Sequence, residues 1–228
     1  MLTGFDLPGM GPDDPQSWHL LAEASKLAFA DRNQYVADGD FVPVPEAGLL
    51  HPDYLAKRAA FIRRETSILP PVVHGLPPGV PARKRAPDTQ TGRPGTSHIS
   101  IVDGAGNAVS MTTTIEGAFG SQLMVRGFLL NNELTDFSFL PSKDGQLVAN
   151  RVEPRKRPRS SMAPTLVFNA DGSLRLVVGS PGGSRIIGYV AKTLVAVLDW
   201  DLDIQAAIDL GHVVNRNGAT DFEAGTEA

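Results

Sequence analysis

The clearest pattern in the chain is a pair of strand-like segments separated by a short glycine-rich turn. SHISIVD (97–103) alternates apolar and polar residues, and AVSMTTT (108–114) is rich in the β-branched residues that strands favour. The turn at 104–107 contains two glycines, which can adopt the positive φ that a tight hairpin requires. The pattern predicts a β-hairpin that brings Thr96, at the head of the first strand, close to Thr114, near the end of the second.

Helical periodicity occurs both before and after this hairpin. QSWHLLAEASKLAFADRNQYV (16–36) repeats apolar residues at i, i+4, i+7 and i+8, which predicts a helix with one buried face. Asp14 followed by Pro15 is a favourable helix start. A second helix, YLAKRAAFIRRE, is predicted after the His-Pro-Asp of 51–53, and a third, short helix is predicted from Asp203.

The second half of the chain predicts further strands. TLVFN and SLRLVVG flank the Asp-Gly of 171–172, a strong hairpin signal, and 127–132 is predicted as another strand. GSPGGSRIIGYVAKTLVAVLDW changes from strand to helix at Gly182 and Gly183. This turn lacks the lysine of a phosphate loop and the spacing of a dinucleotide fingerprint. It predicts instead a run of backbone N–H groups at a helix N-terminus, which suits negative charge.

Two segments show no periodicity. Residues 69–95 contain seven prolines and four glycines, which excludes a helix or a central strand. This composition fits an interdomain linker, or an exposed segment that ends at a cleavage site between Gly95 and Thr96. Residues 139–158 predict a polar loop. Five of the nine residues 151–159 are basic, and we expect a solvated loop there, not a nucleic-acid patch.

Composition narrows the class of protein. The chain has 228 residues, 42% of them hydrophobic and 20% charged, as expected for a globular domain. A net charge of −4 gives no reason to expect a nucleic acid or an anionic membrane as partner. Cysteine is absent, which excludes disulfides and thiolate metal sites. No histidine pair or carboxylate cluster with metal-ligand spacing occurs, and no apolar run is long enough to span a bilayer.

Four motifs, in order, resemble the small subunit of the γ-glutamyltransferase (γ-glutamyltranspeptidase) family of N-terminal-nucleophile hydrolases. That subunit begins Thr-Thr/Ser-His-x-Ser-Val-x-Asp and continues Gly-Asn-Ala-Val-Ser. Here the first motif is TSHISIVD followed by GNAVS (96–110). The others are GFLLNNELTDFS (127–138), RPRSSMAPTLV (157–167) and GSPGGSRI (179–186). Residues 16–62 also resemble the end of the family's large subunit.

The resemblance implies a fold and a domain organisation. The fold is an α/β four-layer αββα sandwich of the N-terminal-nucleophile type, incomplete in this chain. Residues 1–95 correspond to the C-terminal part of the large subunit with its proline-rich linker. Residues 96–228 correspond to the small, catalytic subunit, truncated at its C-terminus. The chain is therefore expected to be an internal fragment of a longer protein. It has no signal peptide of its own, while the family implies a periplasmic or secreted location.

The resemblance also implies catalytic roles. Self-cleavage between Gly95 and Thr96 would free the α-amino group of Thr96, so that nucleophile and base lie in one residue. Thr96 would be the nucleophile, and Thr114 would orient its hydroxyl. The backbone amides of Gly182 and Gly183 would form the oxyanion hole. The reaction would be γ-glutamyl transfer or hydrolysis on glutathione-like amides, with no metal or cofactor.

Substrate contacts follow from the same motifs. Glu133 and Asp136 match the family's positions for the substrate α-ammonium group, and Ser160 and Ser161 match its positions for the α-carboxylate. Glu116 stands where the family usually has Asn. It lies two residues beyond Thr114, so a continued strand would place both side chains on one face, toward the pocket. Glu116 is expected either to be protonated or to turn toward a basic partner, for which the candidates are Arg151 and Arg155.

Two other readings stay open at the level of sequence. One is a different amidase of the same superfamily, of the cephalosporin or glutaryl acylase type, which would keep the catalytic residues and bind another acyl group. The other is an inactive, uncleaved fragment with a structural role. For the enzyme, the expected partners are the γ-glutamyl substrate and an amino acid, peptide or water acceptor. The two cleaved pieces are expected to stay associated.

Overall fold

The computed structural model describes residues 1–80, 84–89 and 95–225 of the chain. The α-helices are α1 (Leu7–Met10), α2 (Pro15–Tyr35), α3 (Glu46–Leu49), α4 (Pro52–Ala59), α5 (Ile186–Leu198) and α6 (Ile204–Asp209). The strands are β1 (Thr96–Val102), β2 (Ala108–Thr114), β3 (Met124–Val125), β4 (Phe128–Leu129), β5 (Ser142–Lys143), β6 (Gln146–Leu147), β7 (Thr165–Phe168), β8 (Leu174–Val178), β9 (Val213–Asn215) and β10 (Thr220–Phe222). Turns of 3-10 helix occur at Leu2–Gly4, Glu133–Asp136 and Gly183–Arg185.

The long helix α2 is the centre of the larger core. The Asp14 carboxylate accepts a hydrogen bond from the Gln16 amide at 2.8 Å and so caps the first turn, with proline in the next position. Leu20 and Leu27 of α2 are fully buried, and they belong to one apolar cluster with Ala196 of α5 and Ala207 of α6. The helices predicted from 16–36 and from Asp203 are confirmed. The helix predicted over 54–65 is shorter than expected, because α4 ends at Ala59.

Two antiparallel hairpins form the β part of the molecule near the site. In β1–β2 the Cα partner of Thr96 is Thr114, as the pattern predicted. β7–β8 form the second hairpin around the Asp-Gly turn. The hairpins contact each other, since the Ser110 hydroxyl of β2 donates to the carbonyl oxygen of Val178 at 3.1 Å. This mixture of helices and antiparallel hairpins agrees with the predicted α/β class. Within the described residues each sheet consists of two strands.

The end of β8 lies tightly against β1. A Cβ atom on Gly179 would fall 2.2 Å from the imidazole of His98, so only glycine fits there. The His98 ring also contacts the hydroxyl of Thr112 on β2 at 2.8 Å. This close approach brings the chain that leaves β8, with its glycine turn, back toward the start of β1.

The composition of the proline-rich segment 69–95 predicted a linker or an exposed segment, but part of the segment is buried. Ala86 and Asp88 are buried, and Ala86 forms a bridge with Val148. The Asp88 amide donates to the carbonyl oxygen of Asn33 in α2 at 2.9 Å. Side-chain burial fixes this part of the segment although it has no regular structure. Residues 81–83 and 90–94 of the predicted linker lie outside the described residues.

Three further predictions need correction. The strand expected at 127–132 is shorter, because β3 and β4 make a hairpin of two residues per strand. The loop 139–158 contains the small hairpin β5–β6. Its basic cluster is not simply solvated, since Lys156 and Arg159 are buried and the Lys156 ammonium lies 2.9 Å from the Glu153 carboxylate. The β9–β10 hairpin was not predicted.

Candidate active site

One cavity beside the β1–β2 hairpin collects residues that are far apart in the sequence. It is lined by side chains from α2, β1, β2, the 3-10 turn at Glu133–Asp136, the segment before β7 and the turn before α5. Every predicted site residue lines it except Gly182, which directly precedes the lining residue Gly183. The full lining is Arg32, Thr96, Thr114, Glu116, Glu133, Asp136, Arg159, Ser160, Ser161, Met162, Gly183, Ser184 and Ile186.

The hairpin register places the two threonines side by side at one end of the cavity. The Thr114 hydroxyl donates to the carbonyl oxygen of Gly95 at 3.4 Å and accepts from the Glu116 amide at 2.8 Å. Gly95 packs closely, because a Cβ atom there would lie 2.0 Å from the Glu116 carbonyl oxygen. The peptide bond between Gly95 and Thr96 is therefore held against the end of β2.

The glycine turn before α5 has a backbone that other residues adopt only with strain. Gly182 has φ 135° and Gly183 has φ 59°. A Cβ atom on Gly182 would also fall 2.6 Å from the Tyr189 ring. The Arg185 amide donates to the Gly182 carbonyl oxygen at 3.2 Å, which closes the 3-10 turn and directs the chain into α5. The predicted change from strand to helix at this turn is confirmed.

The acidic end of the cavity contains Glu116, Glu133 and Asp136. Desolvation, followed by the nearby charges of Asp136 and Glu116, raises the pKa of Glu133 from 4.5 to about 7. Desolvation and then Glu116 also raise the pKa of Asp136. The Glu133 Oε1 atom is buried and has no hydrogen-bond partner among the described residues. The positive charges of Arg32 and Arg159 oppose the rise in the pKa of Asp136 without cancelling it. Three carboxylates this close together favour a bound proton or a cationic group.

Glu116 lines this cavity as predicted, but not through the strand alternation from which its position was predicted. β2 ends at Thr114, and Glu116 has φ 71°, so strand alternation does not carry its side chain to the pocket. Its carboxylate accepts a hydrogen bond from the Asn132 side-chain amide. Among the described residues it forms no ion pair with Arg151 or Arg155. Arg151 instead lies 3.0 Å from the Glu153 carboxylate. The pKa that is raised to about 7 in this cavity is that of Glu133.

The cavity is also lined by two arginines, Arg32 and Arg159, which sequence reasoning missed. The Arg32 guanidinium donates to the Ser161 hydroxyl at 2.5 Å, and Arg159 lies 3.2 Å from the Asp88 carboxylate. The Ser160 hydroxyl accepts from the Met162 amide at 3.1 Å. The sequence analysis placed Arg32 in the helix of 16–36 and gave it no role. Helical periodicity predicts which face of a helix is buried, but it does not predict which distant residues pack against that helix. In the described part of the chain, no cluster of His, Cys, Asp and Glu has the geometry to hold a metal ion.

Comparison with known proteins decides the family. A family model for gamma-glutamyltranspeptidase matches residues 1–228. The chain belongs to the gamma-glutamyltranspeptidase family. The resemblance carried by the four motifs is therefore confirmed.

Individual relatives agree with this assignment. The chain is 40% identical over 219 residues to the glutathione hydrolase proenzyme of Bacillus subtilis, covering 92% of this chain and 36% of that protein. It is 32% identical over 225 residues to the acylase ACY 1 proenzyme of a Pseudomonas species, covering 98% of this chain and 37% of that protein. The chain thus spans little more than a third of the length of these curated relatives.

A solved structure confirms the fold. The crystal structure of cephalosporin acylase from Bacillus halodurans matches with a TM-score of 0.79 at 25% identity, covering 99% of this chain and 37% of that one. The predicted α/β fold of the N-terminal-nucleophile hydrolases is confirmed by this match. No helix among the described residues has the length and hydrophobicity needed to cross a membrane.

Proposed function

We propose that this chain carries the active site of a γ-glutamyltransferase or γ-glutamyl hydrolase that acts on glutathione-like amides through Thr96. The proposal rests on one observation, which is that the predicted catalytic and substrate-binding residues line a single cavity. They are Thr96, Thr114 and Gly183 for catalysis, and Glu133, Asp136, Ser160 and Ser161 for substrate binding. Residues 1–95 and 96–228 would be the two pieces of a self-cleaved precursor that stay associated. Relatives at 40% and 32% identity are named proenzymes, which supports maturation from a precursor.

Maturation would begin with the Thr96 hydroxyl. Its oxygen attacks the Gly95 carbonyl carbon, the peptide C–N bond breaks, and the Thr96 nitrogen takes up a proton and becomes an amine. Water then hydrolyses the resulting ester, which leaves a carboxylate on Gly95 and a free hydroxyl on Thr96. The hydrogen bond from the Thr114 hydroxyl to the Gly95 carbonyl oxygen would stabilise the charge that develops on that oxygen.

The mature site would then catalyse acyl transfer. An N-terminal α-amino group has a pKa of about 7.7–8.0, so it can accept the hydroxyl proton near neutral pH. The Thr96 oxygen attacks the γ-carbonyl of the substrate, and the leaving amine takes the proton from the N-terminal ammonium. Gly182 and Gly183 are proposed to stabilise the tetrahedral oxyanion through their backbone amides. Water or an amino group of an acceptor then releases the γ-glutamyl group from the ester.

The presence of both acidic and hydrogen-bond-donating side chains in the cavity supports a γ-glutamyl substrate. This group carries an α-ammonium and an α-carboxylate, which match the acidic end at Glu133 and Asp136 and the hydroxyls of Ser160 and Ser161. Contacts to both charged groups of the substrate would fix its γ-carbonyl in front of Thr96. A glutaryl group, the acyl group of the acylase alternative, has no ammonium. It would leave the acidic end uncompensated, so the cavity favours γ-glutamyl over glutaryl compounds.

A substrate comparison tests this proposal on the protein expressed from its complete reading frame. Wild type should hydrolyse L-γ-glutamyl-p-nitroanilide far faster than glutaryl-p-nitroanilide, and Thr96→Ala should hydrolyse neither. Preference for the glutaryl compound would establish the acylase alternative. If the wild-type protein stays in one piece and hydrolyses neither compound, the alternative of an inactive, uncleaved fragment is established.

A further inference from the structure

Tyr189 packs directly against the glycine turn before α5 but does not line the cavity. It is the fourth residue of α5, which begins at Ile186. Side chains of a helix lean toward its N-terminus, so a ring in the first turn lies over the residues that precede the helix. A Cβ atom on Gly182 would fall 2.6 Å from Cε2 and 3.1 Å from Cδ2 of this ring. The ring therefore limits where the backbone of the turn can lie.

The Tyr189 ring is itself stacked on the imidazole of His212, the residue before β9. The ring centroids are 3.9 Å apart and the ring planes are inclined by 24°. α5 and β9 approach closely here, since a Cβ atom on Gly188 would fall 2.9 Å from the Val214 side chain. The His212 amide donates to the Glu223 carboxylate at 3.1 Å, and its carbonyl oxygen accepts from the Glu223 amide at 2.9 Å. The backbone of the hairpin thus fixes the position of the imidazole.

The His212 side chain acts in this contact as a flat, uncharged ring. Burial, and then the charge of Lys192, lower the pKa of His212 to about 4, so the imidazole is neutral at neutral pH. Its Nδ1 atom is buried and has no hydrogen-bond partner among the described residues. A phenyl ring could therefore replace the imidazole without the loss of a hydrogen bond at that atom.

The β9–β10 hairpin contacts the glycine turn at a second point. Arg216, which follows β9, donates to the Ser184 hydroxyl at 2.8 Å. The Arg216 guanidinium lies 3.2 Å from the Asp221 carboxylate of β10, and the same carboxylate lies 3.0 Å from the Arg185 guanidinium. The hairpin thus holds the end of the turn through charged groups and its start, at Gly182, through the two stacked rings.

The glycine turn needs such support because its own backbone is permissive. Glycine adopts positive φ freely, so the angles of 135° at Gly182 and 59° at Gly183 are not fixed by the residues themselves. Donors to an oxyanion are effective only when they are held in place before the reaction. We propose that Tyr189, held by His212, is a positioning residue that fixes the direction of the Gly182 and Gly183 amides. The inference rests on the proposed acyl-transfer function and adds to it the side chains that orient the oxyanion hole.

The test measures turnover and self-cleavage separately, in the protein expressed from its complete reading frame. Tyr189→Leu removes the ring that packs on Gly182. The kcat for L-γ-glutamyl-p-nitroanilide should fall roughly tenfold to a hundredfold with little change in KM, because displaced oxyanion donors lose much of their effect. Self-cleavage should keep the wild-type rate, because the proposed donor to the Gly95 carbonyl oxygen is Thr114 and not the glycine turn. Intact mass spectrometry gives the cleaved fraction, to which kcat is referred.

Further variants show whether the stacked rings carry the effect. Tyr189→Phe keeps the ring and should retain nearly the wild-type kcat. His212→Ala leaves the Tyr189 ring without its partner and should lower kcat roughly threefold to tenfold, and His212→Phe should restore it. Phe222→Leu is the matched control, since it changes an exposed ring of the same hairpin outside the cavity and should alter neither rate. Thermal midpoints of all variants report on folding.

The outcomes are distinguishable. A wild-type kcat in Tyr189→Leu would overturn the inference and leave the γ-glutamyl function intact. An equal loss in Tyr189→Phe, or self-cleavage that slows as much as turnover, would also overturn it, because the ring would then have no specific effect on the turn. If Tyr189→Leu does not fold, the two His212 variants decide, since kcat must fall in His212→Ala and recover in His212→Phe.

Failure of the proposed function gives a different pattern. A wild type that prefers glutaryl-p-nitroanilide would refute the γ-glutamyl function, and the same variants measured on that compound would still test the role of Tyr189. A wild type that hydrolyses neither compound would refute both the function and this inference.

Discussion

The Thr114 hydroxyl donates a hydrogen bond to the carbonyl oxygen of Gly95, across the open end of the β1–β2 hairpin. This carbonyl belongs to the peptide bond that precedes Thr96. The same hydroxyl accepts a hydrogen bond from the Glu116 amide, which fixes its orientation. One threonine side chain thus connects the end of β2 with the bond proposed to be cut. Its place in the register makes the cleavage step directly testable.

We expect Thr96→Ala to abolish cleavage and Thr114→Ala to slow it. The first variant lacks the attacking hydroxyl, and the second lacks the donor to the Gly95 carbonyl oxygen. Losing one donor to a developing oxyanion costs about 3 kcal/mol in other enzymes, or roughly a hundredfold in rate. Thr114→Ser keeps the donor and should cleave nearly as fast as wild type. Intact mass spectrometry over time measures the rates, and N-terminal sequencing of the new piece should begin Thr-Ser-His-Ile. Cleavage of Thr96→Ala at the wild-type rate would disprove the assignment.

A second prediction concerns the tight packing of Gly95. Gly95→Ala would place a Cβ atom 2.0 Å from the Glu116 carbonyl oxygen, so the start of β1 must move away from the end of β2. We expect cleavage to slow at least tenfold, because a misplaced reacting group loses much of the benefit of orientation. Gly104→Ala is the matched control, since nothing lies within 4 Å of the added Cβ atom there. Equal cleavage rates for both variants would show that the close contact has no role.

The sequence predicted those elements whose structure is determined by residues close together along the chain. The β1–β2 hairpin, its register and the cap of α2 each depend on residues within a few positions of one another. Glu116 shows where such reasoning stops, because alternation holds only while the strand continues, and this residue has φ 71° just beyond the strand end. Its side chain still reaches the cavity, but through a turn and a contact with Asn132 that alternation does not encode.

Long-range burial was the part that could not be predicted. The composition of 69–95 correctly excludes regular structure, yet it does not show that Asp88 is buried against Arg159, 71 residues later. The two arginines of the cavity escaped prediction for the same reason. Arg32 and Ser161 are 129 residues apart, and only the packing of α2 beside the segment before β7 brings them together.

This buried ion pair gives a prediction about stability. Asp88→Ala would leave the Arg159 guanidinium buried without its carboxylate, which typically costs 3–5 kcal/mol, so we expect about that loss in the free energy of unfolding. Asp40→Ala breaks an exposed pair with Arg157 and should cost less than about 1 kcal/mol. Urea denaturation in a Thr96→Ala background, which keeps one chain, measures both. Similar small losses would mean that the segment around Asp88 is not anchored by this pair.

The last prediction follows from the raised pKa of Glu133, about 7 against an ordinary value of 4.5. Because the folded state holds this proton more tightly than the unfolded state, the contribution to stability is fully present below pH 4.5. It is lost as the pH rises through about 7. Binding of a substrate ammonium has the opposite dependence, since it requires the ionised carboxylate. We therefore expect the ligand-free protein to become less stable between pH 5 and 8, while KM for L-γ-glutamyl-p-nitroanilide falls over the same range.

Two variants make this pH dependence specific to the cavity. Glu133→Gln cannot ionise, so its thermal midpoint should fall less than that of wild type between pH 5 and 8, and its KM should be higher and nearly independent of pH. Glu65→Gln changes an exposed carboxylate outside the cavity and should follow the wild-type profile. Glu116→Gln removes one of the charges that raise the pKa of Glu133 and should move the KM transition to lower pH. If the wild-type and Glu133→Gln profiles coincide, Glu133 is not the group that takes up the proton, and the acidic end must bind its cation by another carboxylate.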